Sequence, residues 1–194
     1  MKLQILCLVV WFVPASGSAQ ESRTLIAETN HSTILFSVPI SEGITRITGK
    51  FNDYSIEVDL IEGDEVKISR ISAIIKVGSI DTGIPSRDED LKTGSFFEID
   101  KYPEITFVSQ HIEKAGDSYV AHGQFQMHGI TQDMSLPFKI TGKKSENVIG
   151  FSCRHTIKRS DFGVGTTWKH TTDDKFIADE IGVEIDFWTR RPRK

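Results

Sequence analysis

Apolar and polar residues alternate with a period of two through most of this chain. From Ala121 to Met127 the odd positions are apolar or small and the even positions are polar. The same pattern recurs from Ile56 to Leu60 and from Ile181 to Phe187. A period of two places apolar side chains on one face of a strand. So many half-buried strands predict an all-β fold, in which one antiparallel sheet of about eight strands closes into a barrel around an apolar interior.

Turn residues rich in Gly, Asn and Asp separate the alternating segments, including Glu62-Gly63-Asp64. The strands are predicted near residues 32–38, 44–51, 54–60, 66–77, 104–112, 118–128, 132–142, 147–157 and 177–188. Along 66–77 the apolar parity switches, which predicts a β-bulge at Ser69-Arg70. Gly49 and Gly123 fall on the apolar parity inside strands, which indicates strong curvature or a ligand close to the backbone.

Two segments interrupt the strand pattern. A short helical insertion is predicted at about 86–98, with Ser86 as its N-cap and with Leu91, Phe96 and Phe97 as its apolar contacts. The second segment, Arg159 to Lys175, is a long loop that contains Trp168. Loops of such length in a compact domain are often functional.

The N-terminus has the three parts of a secretory signal peptide. Lys2 precedes an apolar run from Leu3 to Val13, and a small-residue stretch ends at Ala19. We therefore expect residues 1–19 to be a signal peptide, residues 20–194 to be one domain, and the protein to be periplasmic or secreted. Without Lys2 the net charge goes from −4 to −5. This acidic balance argues against a nucleic-acid partner.

The positions of the histidines and of Cys153 favour structural roles over catalytic ones. The six histidines lack the spacing of a zinc motif, so no metal site and no cofactor are expected. Cys153 and His155 share the inward parity, but no orienting group or oxyanion hole accompanies them. The sequence therefore predicts a protein that is not an enzyme. The alternative, a lipid-modifying or isomerase-type barrel enzyme, would need a titratable group in the cavity, and His155 or Arg154 is the place to look.

Several short motifs together resemble the YceI-like family. They are Asn30-His31-Ser32 leading to Phe36, Gly49-Lys50-Phe51, Ser79-Ile80-Asp81-Thr82-Gly83, Arg87-Asp88 to Leu91-Lys92, Phe96-Phe97, Tyr102-Pro103-Glu104-Ile105-Thr106-Phe107, His128-Gly129-Ile130-Thr131, Arg159-Ser160-Asp161-Phe162-Gly163 and Ile177-Ala178-Asp179-Glu180-Ile181. They follow the family's order over nearly all of residues 20–194. The stretch Thr166 to Lys175 does not match the family pattern. The resemblance implies a lipocalin-like barrel that is exported and binds polyisoprenoid or similar long-chain lipids without catalysis.

We expect the protein to carry or scavenge such a lipid, for example a quinone or a polyprenyl species. The residues expected to line the cavity are apolar: Phe36, Phe51, Ile75, Phe96, Phe97, Phe107, Phe125, Phe138, Phe151, Trp168 and Phe187. Lys158, Arg159 and Asp161 have two readings. They either form a self-contained polar cluster or meet the ligand head-group at the cavity mouth.

One further alternative stays open at this point. A small outer-membrane barrel shares the alternation, because periodicity alone does not identify the apolar face. The helical insertion and the basic tail, Arg190 to Lys194, argue against it, so no stable membrane insertion is expected. The sequence is compatible with a homodimer.

Overall fold

The computed structural model describes residues 22–61, 67–173 and 175–193, and within them the chain is almost entirely β-structure. The strands are β1 Ser22–Ala27, β2 Thr33–Ile40, β3 Thr45–Phe51, β4 Tyr54–Ile61, β5 Lys67–Lys76, β6 Ile80–Asp81, β7 Glu104–Ala115, β8 Ser118–Met127, β9 Ile130–Ser145, β10 Val148–Lys158 and β11 Glu180–Arg190. One α-helix, α1, spans Pro85–Lys92. Short 3₁₀ turns lie at Thr29–His31, Ser41–Gly43, Val77–Ser79 and Arg159–Phe162.

The strands close into an antiparallel barrel, as the alternation predicts. Eight of them form a ring in the order β1-β4-β5-β7-β8-β9-β10-β11, and β1 closes it by pairing with β11 at Ile26–Arg190 and Ala27–Thr189. The N-terminal half of β11 pairs instead with β2, from Gly182–Ser37 to Asp186–Thr33. Strands β3 and β6 continue the sheet beyond β2. Strands β2, β3 and β6 therefore extend the barrel wall beyond the ring of eight strands, next to the N-terminal half of β11.

The predicted strands and their inward faces are present in the structure, with small shifts at their ends. Ile56, Val58 and Leu60 of β4 are buried and the residues between them are more exposed. The predicted bulge is confirmed, because Asp59 pairs with Arg70 while Leu60 pairs with Ile68, which leaves Ser69 unpaired. Strands β1 and β6 have no predicted counterpart. Strand β1 is short and β6 has two residues, so neither shows a long alternation.

The helical insertion differs from its prediction at both ends. Its N-cap is Ile84, no side chain caps it, and Pro85 occupies the first turn, so Ser86 is not the cap. The carboxylate of Asp88 accepts hydrogen bonds from the Thr82 backbone N–H (2.9 Å) and hydroxyl, which ties the helix to the chain that follows β6. The helix ends at Lys92, and residues up to Lys101 form turns rather than a longer helix.

The two in-strand glycines make room for the protein's own atoms. A Cβ at Gly49 would lie 2.3 Å from Cζ of Phe36, and one at Gly123 would lie 2.2 Å from the Val108 carbonyl oxygen. At Gly123 the close approach accompanies a register shift between Ser109 and His111. The expectation of local curvature therefore applies at Gly123, while Gly49 accommodates an aromatic ring.

Some sequence predictions lie outside the described residues: the signal peptide at 1–19, the Glu62-Gly63-Asp64 turn, and the first residue of the strand predicted at 66–77. No helix in the described part of the chain has both the length and the apolar character needed to cross a membrane.

Candidate functional site

The barrel encloses a cavity of about 390 Å³, and its lining is overwhelmingly apolar. This volume falls in the range of roughly 300–1,000 Å³ that is typical of small-molecule sites. The cavity occupies one half of the barrel. On β10 the lining residues are Cys153, His155 and Ile157, whereas Ile149 and Phe151 of the same strand belong to the buried core.

The separation of two strands accounts for the space in this half. Strands β9 and β10 pair as far as Phe138–Cys153, and no further pairing between them occurs in the described residues. The N-terminal part of β9, which carries Met134 and Leu136, instead stays on β8. The cavity therefore begins at the level where the wall between β9 and β10 opens.

Aromatic rings fill the other half of the barrel. Phe151 stacks on Phe187 with ring centroids 4.8 Å apart, and Phe138 packs beside Phe151 at 6.1 Å. Phe107 is also buried in the core. None of these four, which were expected in the lining, borders the cavity. Their inward parity is correct, but parity does not distinguish the packed half of a barrel from the open half.

The other seven expected lining residues do border the cavity: Phe36, Phe51, Ile75, Phe96, Phe97, Phe125 and Trp168. They come from four strands, from the turns after α1, and from the loop between β10 and β11. Phe36 and Phe51 contact each other across β2 and β3 at 5.6 Å. The fold thus brings together residues that are far apart in sequence.

An aromatic cluster covers the side of the cavity formed by the loop between β10 and β11. Trp168 lies 5.9 Å from Phe96 and 6.1 Å from Phe176, measured between ring centroids. His170 stacks on Phe176 at 4.2 Å. The loop between β10 and β11 therefore contributes to the cavity wall, and its end is held by an Ile40–Ile177 bridge to β2.

The residues expected at a head-group site have different surroundings. Lys158 and Asp161 are exposed and do not border the cavity. Arg159 does border it, but its guanidinium donates hydrogen bonds to the carbonyls of Val164 (3.0 Å), Ala178 (3.0 Å) and Ile177 (3.3 Å). The geometry therefore favours a structural role for Arg159 over contact with a ligand head-group. Its guanidinium acts as a clamp, because its hydrogen bonds join the turn after β10 to the segment before β11.

Arg87 and Asp90 of α1 also line the cavity. Arg87 donates from Nε to the Thr82 hydroxyl and from Nη2 to the Thr82 carbonyl, both at 2.8 Å. Both cationic side chains of the lining, Arg87 and Arg159, thus have partners within the protein.

Cys153 and His155 bring the main polar groups of the strands into the cavity. Burial raises the pKa of the Cys153 thiol to about 11, and burial lowers the pKa of His155. Both shifts favour uncharged side chains at neutral pH, so the pair is not an activated thiolate. Arg154 points outward and pairs with Asp186 at 2.7 Å and Glu184 at 3.1 Å.

His128 and His122 do not line the cavity, and each hydrogen-bonds another part of the protein. His128 is largely covered by the Tyr102 ring and hydrogen-bonds the Phe162 carbonyl at 2.9 Å. His122 lies on the outer face beside Ser135. Within the described residues, no three His, Cys, Asp or Glu side chains are grouped in a way that could hold a metal ion.

Comparison with known proteins identifies relatives for nearly this whole barrel. The family model described as the YceI-like domain matches residues 26–188. A UPF0312 protein of Yersinia pestis is 29% identical over 148 residues, which cover 74% of this chain and 77% of that protein.

Two solved structures share the fold. The structure of Burkholderia cenocepacia BcnA superposes with a TM-score of 0.72 at 24% identity, and the match covers 84% of this chain and 98% of BcnA. A polyisoprenoid-binding domain from Saccharophagus degradans, implicated in plant cell wall breakdown, superposes with a TM-score of 0.64 at 15% identity, over 87% of this chain and 98% of that domain.

Proposed function

This chain belongs to the YceI-like family, and we propose that it is a non-enzymatic binding protein for a polyisoprenoid or a similar long-chain lipid. The cavity in the open half of the barrel is the observation that carries the proposal. It is apolar along its strands and closed at one end by packed phenylalanines. Each methylene group that moves from water into such a lining contributes about 0.8 kcal/mol, so a hydrocarbon chain needs few polar contacts to bind.

A relative of the same fold supports the ligand class. The Saccharophagus domain that superposes on this barrel is named as polyisoprenoid-binding. We extend that ligand class to this chain because the cavity chemistry fits it. Branched methyls of an isoprenoid would contact the Ile, Met and Phe side chains that make up most of the lining.

The site chemistry favours binding over catalysis. A thiol whose pKa is raised by burial is a poor nucleophile, and the lowered pKa of His155 reflects burial, with no carboxylate to orient the ring. These features disfavour the barrel-enzyme alternative. The outer-membrane alternative would need an apolar outer face, whereas ion pairs such as Arg154–Asp186 and Lys76–Glu104 lie on the outside of the wall.

Export to the periplasm or outside the cell is part of the proposal and rests on the signal-peptide pattern of residues 1–19. In that compartment the protein would act as a carrier or scavenger, which shields a water-insoluble chain between membranes. The proposal includes no cofactor.

Tryptophan fluorescence tests the proposal directly. Trp168 lines the cavity, whereas Trp188 is partly exposed and is not among the lining residues. Titration of residues 20–194 with farnesol, a short isoprenoid alcohol, should change the emission in a saturable manner. The variant Trp168→Phe should lose most of this change, and the matched variant Trp188→Phe should keep it. A titration that never saturates, or a signal carried by Trp188 alone, would contradict binding in the cavity.

A further inference from the structure

We propose that His155 selects a ligand whose head-group is an uncharged oxygen, an alcohol or a carbonyl, bound inside the barrel rather than at its rim. The inference rests on the proposed function and specifies the ligand class for the same cavity. It concerns a residue that stands outside the short motifs resembling the family.

His155 lies well inside the barrel wall. It lies on β10, four residues before Arg159 in the turn that follows the strand. At roughly 3.3 Å per residue, the backbone of His155 is about 13 Å from that of Arg159. On the neighbouring strand it pairs with Val183, and Val183 pairs in turn with Phe36. All three residues line the cavity. The imidazole therefore sits at the level of apolar side chains, where a ligand would have little water around it.

The imidazole of His155 has no hydrogen-bond partner in the part of the chain that the structure describes. No hydrogen bond or ion pair to its ring occurs among the described residues. The other histidines differ, since His31, His122, His128 and His170 each have a hydrogen-bond partner and His111 stacks on His122. A neutral imidazole offers one N–H donor and one acceptor. It can donate to a carbonyl oxygen or accept from a hydroxyl.

The charges of the cavity disfavour an anionic head-group. Arg87 and Arg159 already donate to protein oxygens, and the acidic residue Asp90 also borders the cavity. A phosphate would meet an acidic residue and would find no cation without a partner in the described lining. An uncharged oxygen has neither problem, and His155 supplies the single hydrogen bond that it needs.

Three ligands with the same isoprenoid chain separate these contributions: farnesol, farnesyl phosphate and the hydrocarbon farnesene. Wild-type protein should bind farnesol roughly tenfold more tightly than farnesene, since a net hydrogen bond contributes about that factor. It should bind farnesyl phosphate more weakly than farnesol. Dissociation constants come from Trp168 fluorescence, with each ligand delivered from cyclodextrin.

The variant His155→Leu should bring the farnesol-to-farnesene affinity ratio close to one, and His155→Gln, which keeps a donor and an acceptor, should retain part of it. Thr156→Leu, on the adjacent outward-facing position, should keep the wild-type ratio. A general packing defect weakens both ligands together and leaves their ratio unchanged, so the ratio isolates the hydrogen bond.

The outcomes separate this inference from the proposed function. If His155→Leu and His155→Gln both keep the wild-type ratio, or if wild type prefers farnesyl phosphate, the inference is wrong while lipid binding stands. If wild type binds farnesol and farnesene equally, the inference is also wrong. If wild type binds none of the three ligands, the proposed function and the inference fail together.

Discussion

Replacing Gly49 by alanine tests whether the space beside Phe36 is where the ligand binds. A Cβ atom at position 49 would lie 2.3 Å from Cζ and 2.8 Å from Cε1 of Phe36. Comfortable carbon–carbon contacts are about 3.5–4.0 Å, so the ring must move by about 1.5 Å. Because Phe36 lines the cavity, the ring has free space to move into.

The expected effect on affinity exceeds the effect on stability. Overpacking a filled core costs about 1–3 kcal/mol, and we expect the low end here because the ring can enter the cavity. If the displaced ring removes about 60 Å² of ligand contact, the loss at about 25 cal/mol per Å² is about 1.5 kcal/mol. This corresponds to a roughly tenfold weaker dissociation constant for farnesol.

Farnesol titration and urea denaturation measure the two effects separately. The double variant Gly49→Ala/Phe36→Leu, in which a smaller side chain replaces the displaced ring, should recover most of the affinity. Unchanged farnesol binding by Gly49→Ala, with normal stability, would refute the assignment of the ligand to the space beside Phe36. An equal loss of affinity in the single and double variants would refute the proposed movement of the ring.

Three further predictions concern the clamp, an outer ion pair and the cavity thiol. Arg159→Met should lower the free energy of unfolding by about 3 kcal/mol, at about 1 kcal/mol for each of three hydrogen bonds. Thermal denaturation should then show a Tm lower by roughly 6–12 °C, and an unchanged Tm would contradict the structural role of Arg159. The hydrogen bond from Arg154 lowers the pKa of Asp186. The contribution of this ion pair to stability should be complete above about pH 4 and should decline as the pH falls through the lowered pKa of Asp186. In urea titrations at several pH values, Arg154→Gln should reduce this dependence of stability on acid pH. With a pKa of about 11, Cys153 should react with iodoacetamide at pH 8 about a hundredfold more slowly than a thiol of ordinary pKa, and bound farnesol should slow it further; rapid labelling in the native state would contradict its burial.

Most of the barrel can be predicted from the sequence because a period of two is a strong local signal. The parity switch along β5 even locates the bulge at Ser69. Strand β1, which closes the ring, is missed because its six residues lie next to the predicted signal peptide and contain only a short alternation. The Ser86 cap is wrong because Pro85 begins the helix and Asp88 bonds to Thr82 instead.

The site is less predictable than the fold. Parity identifies Phe151 and Phe36 alike as inward, but only the three-dimensional arrangement shows that Phe151 stacks on Phe187 while Phe36 borders open space. The same limit applies to Arg159. A sequence motif indicates a polar cluster there, and the identity of its acceptors, three backbone carbonyls, depends on how the loop before β11 returns to the barrel.

Native mass spectrometry shows whether this barrel carries a long-chain lipid. The full chain is produced in a bacterial host that exports it and is purified from the periplasm without detergent, and bound molecules are then extracted into organic solvent and identified. We expect one isoprenoid-type lipid with an uncharged oxygen head-group per barrel, and less of it on the Gly49→Ala variant. A protein that is purified empty, and stays empty when offered quinones and polyprenols, would show that the barrel is not a lipid carrier.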